Sequence, residues 1–227
     1  MDNQLGLRLN SIRKQITDAC ARSGRDKNSV RLIAVTKTHP AETLQALIDL
    51  GVKDIGENRV QEIEQKVPQL KGEFEIHMIG HLQTNKVSHV IPFIKWIHSI
   101  DRERLIKKIE QHHNGTGKIK TLVEVNTSNE TSKSGCKPDE TRMICERIVS
   151  SPALEFCGLM TIGPLGGNEK ATRSSFSLLR KLSQNCSDLA EKIELSMGMS
   201  GDFEWAIEEG ATMVRIGSLL VGNRNYT

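Results

Sequence analysis

Aromatic side chains are scarce in this 227-residue chain: five Phe, two Trp and one Tyr, 4% of the whole. A surface that stacks nucleic-acid bases needs more of them, spread along a basic groove. That groove is missing too. Lys and Arg number 31 against 28 Asp and Glu, a formal net charge of +3, and the two signs are interleaved rather than blocked. The pattern describes an ordinary solvated surface and gives no footprint for nucleic acid. Cysteines are few and odd in number, at positions 20, 136, 145, 157 and 186, with no C-x-x-C spacing. A zinc site or disulfide framework is therefore not expected, a reducing compartment is, and Cys157 in its apolar run reads as a small core residue. No apolar run reaches membrane-spanning length, and Met1 to Ala21 is amphipathic rather than a signal sequence. A cytoplasmic protein is expected.

What is present is alternation. Leu5, Leu9, Ile12 and Ile16 share one helical face, which predicts a leading helix over about residues 3–23 before Gly24. Leu32-Ile33-Ala34-Val35-Thr36-Lys37 reads as a buried strand ending on a lysine, stopped by Thr38, His39 and Pro40. Pro40 opens a helix carrying Leu44, Leu47 and Ile48, closed by Gly51. Further strands are expected at Val52–Gly56, Glu75–Ile79, Lys95–Ser99, Ile119–Val125, Leu154–Met160, Ile193–Leu195 and Met213–Gly217. Between them lie helical patterns, including Asn85–Phe93, one capped by Asp101, one begun by Pro138 and Asp139, and one capped by Asp202 and ended by Gly210. About eight strands alternating with helices imply a parallel sheet and, at this length, a single α/β domain closed as a (β/α)8 TIM barrel. A doubly wound open sheet is the alternative.

The unusual polar groups follow the strands: Lys37, Glu57-Asn58, Gly80-His81, Asn126, Thr161 to Gly163, Ser196 to Gly201, and Arg215 to Ser218. In a barrel all strand carboxyl ends share the face that holds the active site. Turn chemistry alone accounts for Asn126 and Gly163 but less well for Lys37, His81 and Arg215. Ser200-Gly201 and Gly217-Ser218, after the last two strands, offer backbone N–H groups and hydroxyls, the ingredients of an anion cradle. The Asp202 carboxylate would compete for those donors. Lysine forms Schiff bases once its pKa is lowered by desolvation or a cationic neighbour. A lysine, a phosphate cradle and an arginine between them suggest pyridoxal 5′-phosphate (PLP), with its aldehyde on Lys37, its phosphate on Ser200 and Gly217-Ser218, and Arg215 facing the ring nitrogen.

Several motifs then carry a family resemblance from about residue 5 to the carboxyl terminus: Ala34-Val35-Thr36-Lys37-Thr38, Gly56-Glu57-Asn58-Arg59-Val60-Gln61-Glu62, and His77 through Lys86. Val125-Asn126 with Ser132-Lys133-Ser134-Gly135, Gly158 through Thr161, Ser196 through Ser200, and Val214 through Gly217 complete the set. In these the chain closely resembles the YggS/PROSC family of PLP homeostasis proteins. The resemblance implies a barrel like the amino-terminal domain of alanine racemase, with Lys37 as the PLP lysine. It also implies Ser200, Gly217 and Ser218 at the phosphate, Arg215 near the pyridine nitrogen, Asn58 and Met199 close to the cofactor, and His81 nearby. Ser218 stands where threonine is frequent and keeps the hydroxyl; Leu219-Leu220-Val221 replaces a more usual Ala-Ile-Phe-type run.

Bound PLP does not make an enzyme. An arginine only donates, so a ring nitrogen facing Arg215 must accept and stay unprotonated, which weakens the cofactor as an electron sink. The one tyrosine, Tyr226, is next to the terminus, and no second base for racemisation is evident beside His81. The expectation is a non-catalytic, cytoplasmic, monomeric PLP carrier or regulator, with PLP-dependent apo-enzymes as recipients and no nucleic acid or membrane partner. A weak PLP-dependent racemase or transaminase is the alternative, and a Schiff-base aldolase using Glu57 a more distant one. Lys86, Lys133 and Lys137 read as solvated surface, with a second PLP site or bracing of the barrel mouth as the alternative.

Overall fold

Ile33, Trp96, Leu122, Met160 and Met213, from five different strands, meet in a buried cluster of their own inside a closed barrel. The computed structural model describes residues 2–115 and 117–222. Its strands are β1 (Arg31–Val35), β2 (Asp54–Glu57), β3 (Glu75–Met78), β4 (Trp96–Ile100), β5 (Ile119–Glu124), β6 (Leu154–Met160), β7 (Glu194–Met199) and β8 (Met213–Ile216). They pair in parallel in sequence order, and β8 returns to β1 with Arg215 beside Ile33. The closed sheet confirms the TIM barrel over the open alternative.

The helices are α1 (Asp2–Arg22), α2 (Ala41–Asp49), α3 (Val60–Lys66), α4 (Val87–Val90), α5 (Glu103–His112), α6 (Thr141–Val149), α7 (Glu169–Gln184), α8 (Phe203–Glu208) and α9 (Ser218–Val221). Together they cover the outer face of the barrel, with α1 packed on α8 and α9. Leu44, Leu47, Ile63, Ile106, Ile148 and Phe176 are fully buried in this second and larger core. Strands covered on both faces read as continuous apolar runs, which is why the sequence shows Leu-Ile-Ala-Val rather than strict alternation. The leading helix is tied to α8. Arg22 reaches Glu204 at 2.6 Å and Glu208 at 2.8 Å, and Arg25 donates to the Ile207 carbonyl at 2.7 Å.

Several local expectations shift. Lys37 lies in the turn two residues past β1 rather than at the strand end. The 85–93 stretch is α-helical only at α4, with 3-10 turns on both sides, and α4 stops at Val90 because Pro92 has no N–H to continue the ladder. Asp202 holds the N-cap position of α8 as expected but makes no side-chain cap bond, and Asp101 falls one residue before Arg102, the N-cap of α5. Asp101 takes Arg102 at 2.5 Å, and Asp202 accepts the Met199 N–H at 2.6 Å. Cys157 is half-buried against the inner cluster; all five thiols are free. Among the described residues, no helix is long and apolar enough to cross a membrane. Tyr226 lies outside the described residues.

Candidate functional site

The turn that carries Lys37 is fastened on both sides. Thr36, fully buried, donates its hydroxyl to Glu57 Oε1 at 2.8 Å, and its carbonyl accepts from Lys66 Nζ at 3.3 Å. Thr38, at φ +67°, donates its N–H to Glu62 Oε2 at 2.7 Å. Lys66 joins the two carboxylates, 2.9 Å from Glu57 and 2.6 Å from Glu62. Residues on either side of Lys37 are therefore pinned by one buried ionic cluster from β2 and α3. Burial holds the Glu57 carboxyl above its ordinary range, opposed by Lys66. This cluster, rather than an aldolase acid–base pair, is where Glu57 is engaged.

Lys37 opens on a cavity of about 560 Å³ at the carboxyl ends of the strands, the size range of small-molecule sites. The same cavity receives Asn58 just after β2, Met199 at the end of β7 with Ser200 and Gly201 after it, and Arg215 from β8 with Gly217 and Ser218 beyond its end. Seven of the eight residues expected at the site converge here. A larger crevice, about 630 Å³, lies on the outer surface beside α5 and collects none of them. Asn58 is placed by Gly80: a Cβ there would stand 2.5 Å from the Asn58 carbonyl and 2.9 Å from its Cα. Only a glycine lets the β3 end pass under that loop.

At one end of the cavity Ser200 Oγ accepts from the N–H of Gly217 at 3.3 Å and of Leu219 at 3.5 Å. These are long bonds, and a Cβ built on Gly201 meets nothing within 4 Å. The result is an open, donor-rich corner. Asp202 does not compete for it, because its carboxylate turns back to Met199. At the other end Arg215 is buried and donates from Nη1 to Ser196 Oγ at 2.7 Å and from Nη2 to the Thr161 carbonyl at 2.8 Å. Burial lowers its pKa to about 10, so it stays charged at neutral pH.

Behind Arg215 runs a chain the sequence reading missed. Ser196 Oγ contacts His98 Nδ1 at 3.0 Å, His98 Nε2 contacts His77 Nδ1 at 2.9 Å, and His77 Nε2 contacts Asp54 Oδ1 at 3.0 Å. Both imidazoles are fully buried, and burial pushes His77 down and His98 well down from the ordinary histidine range. His77 also stacks on Trp96, ring centroids 5.4 Å apart. Asp54, Glu75 and His77 place donor atoms within 4.8 Å of one another at the amino-terminal end of the barrel. They are already engaged: Asp54 with His77 and Arg31, Glu75 with the Trp96 N–H.

His81 is not in the cavity with the others. It is exposed, 3.8 Å from Asp101, at the rim of an adjoining chamber. Lys133 is not a solvated surface lysine. Its Nζ donates to Ser128 Oγ at 3.1 Å, Glu130 Oε1 at 2.9 Å and the Gly163 carbonyl at 2.6 Å, bracing the loops after β5 and β6.

Comparison with known proteins finds relatives along nearly the whole chain. Residues 7–225 match the family described as the alanine racemase N-terminal domain. The pyridoxal phosphate homeostasis protein of Aquifex aeolicus is 40% identical, over 96% of this chain and 98% of its own. Its Homo sapiens counterpart is 38% identical, over 98% of this chain and 88% of its own. Among solved structures, PipY of Synechococcus elongatus PCC7942 with PLP bound is similar at a TM-score of 0.83 and 32% identity, covering 96% of this chain and 100% of that one. The chain belongs to the family of pyridoxal phosphate homeostasis proteins, built on the alanine racemase N-terminal domain.

Proposed function

We propose that this chain binds PLP in the barrel mouth and serves its homeostasis as a carrier or regulator, with Lys37 Nζ as the covalent attachment point. The observation that carries the reading is the convergence of Lys37, Arg215 and the Ser200–Gly217–Ser218 corner on one cavity. The residues fit the group. The open corner offers a hydroxyl and backbone N–H groups to a phosphate, and Arg215 keeps N–H groups beyond the two used on Ser196 and Thr161. Asn58 and Met199 form part of the same wall.

When bound, PLP supplies an aldehyde that captures amines and a ring able to withdraw electrons from carbon. Arg215 would restrict the second property: a guanidinium that remains charged can only donate, so a ring nitrogen placed against it would stay unprotonated. His81 stands at the rim of the adjoining chamber rather than in the main cavity. The arrangement supports holding and exchanging a cofactor over turning over a substrate. Dependent apo-enzymes would be the recipients.

The test is the visible absorption spectrum of the protein after addition of PLP, wild type against Lys37→Ala. A yellow band in the wild type and none in the variant supports the reading. A protein that stays colourless with added PLP contradicts it. Amino-acid turnover by the loaded wild type would overturn the carrier role while leaving the cofactor assignment standing.

A further inference from the structure

The main cavity has a side chamber. A space of about 140 Å³ adjoins it across a shared wall of Asn58, Ile79 and Ile162, and is bounded on its far side by His81, Glu124 and Lys133. Glu124 ends β5, two residues beyond Leu122 of the inner cluster, so strand alternation points its side chain inward. The residue is 4% exposed, and among the described residues no hydrogen bond or ion pair reaches its carboxylate. Asn58, in the same lining, has its Oδ1 buried without a partner. An unpartnered carboxylate and a buried amide oxygen in the lining of one small space call for a donor.

We propose that this chamber binds a primary ammonium group, the head of a small amino compound, between the Glu124 carboxylate and Asn58 Oδ1. The lysine and arginine donors around it are committed elsewhere. Lys133 Nζ is held by three oxygens, Arg102 by Asp101 and the Leu82 carbonyl, and Arg215 by Ser196 and Thr161. Among the described lining side chains, the Asn58 amide nitrogen and the exposed His81 and Ser134 are the donors with no hydrogen-bond partner in the protein. A carboxylate or phosphate head would meet acceptors; an ammonium satisfies both of them.

The groups facing Glu124 also make the site pH-sensitive. Burial, and then Asp101, push its carboxyl up to about 7, while Arg215 and Arg102 pull it down. An ammonium in the chamber adds a positive charge and favours the ionised form. The proposal goes beyond PLP binding and does not depend on it, since the chamber belongs to the protein without cofactor.

The experiment uses cofactor-free protein and carboxyl-carbon and amide NMR, titrated with methylammonium chloride against potassium chloride at equal ionic strength. Saturable binding of methylammonium is expected, with the Glu124 midpoint lowered by about one pH unit or more. Glu124→Gln should weaken binding about tenfold or more, and so should lowering the pH from about 8 to about 6 in the wild type. No saturable binding, an equal response to potassium, or full affinity in Glu124→Gln would overturn the site. If the variant does not fold, the wild-type pH series and the potassium comparison decide alone. Failure of PLP to bind would leave this titration unaffected.

Discussion

Arg215 Nη1 donates to Ser196 Oγ at 2.7 Å, and that bond closes a chain whose direction is set from its far end. The Asp54 carboxylate can only accept, so His77 donates to it from Nε2 and, neutral, accepts at Nδ1 from His98 Nε2. A neutral His98 then accepts at Nδ1 from the Ser196 hydroxyl, whose oxygen accepts from Arg215. One cation and one anion thus terminate a chain of neutral, fully matched groups. Nitrogen NMR should find both imidazoles neutral and protonated on Nε2 at neutral pH. A charged His98, or protonation on Nδ1, would break the chain. Ser196→Ala leaves buried donors on Arg215 and an acceptor on His98 unmatched, with an expected loss of about 1–3 kcal/mol in urea unfolding.

Glu124 should limit stability at alkaline pH. Its carboxyl is held up to about 7 in the folded chain against about 4.5 when unfolded. A raised carboxyl contributes stability that is fully present below the unfolded value and is lost as pH rises through the folded one. Glu124→Gln removes the ionisation. The variant should gain roughly 3 kcal/mol over wild type near pH 8 and only about 1 near pH 5 in chemical denaturation. An equal difference at both pH values would contradict the burial of this acid.

Lys66→Met is the severe substitution. It leaves Glu57 buried with its ionic partner removed and takes a donor from the Thr36 carbonyl. Breaking a buried pair on one side costs about 3–5 kcal/mol. The Thr38 amide, which Glu62 holds, should also lose protection against hydrogen exchange. Unchanged protection would mean that the cluster does not position the Lys37 turn.

Gly80→Ala tests placement of the Asn58 loop. The added Cβ meets backbone, which cannot swing aside as a flexible side chain can. A stability loss of about 1–3 kcal/mol is expected from overpacking. PLP affinity should fall with it, measured by absorbance titration.

The architecture was legible because strand and helix periods alternate without interruption, and because strand ends in a barrel must converge. That convergence brought Lys37, Asn58, Ser200, Arg215 and Gly217 together from the ends of four separate strands. The interior chain was not legible. His77 and His98 lie inside strands whose apolar runs do not reveal which face is inward, so their pairing depends on register between β3 and β4. The two aspartates expected as caps found stronger or nearer partners, a guanidinium for Asp101 and a strand-end N–H for Asp202. Helix α9 is too short, at four residues, to leave a periodic signature. His81 lines the adjoining chamber rather than the main cavity, a distinction the sequence does not carry, because a strand-end position fixes the face of the barrel but not which of two neighbouring pockets a side chain borders.

The most direct measurement is borohydride reduction of the PLP-loaded protein followed by peptide mass spectrometry. The account predicts the reduced cofactor on the peptide containing Lys37 and on no other lysine at one equivalent. Label on Lys66, Lys133 or another lysine with Lys37 unmodified, or no label at all, would contradict it.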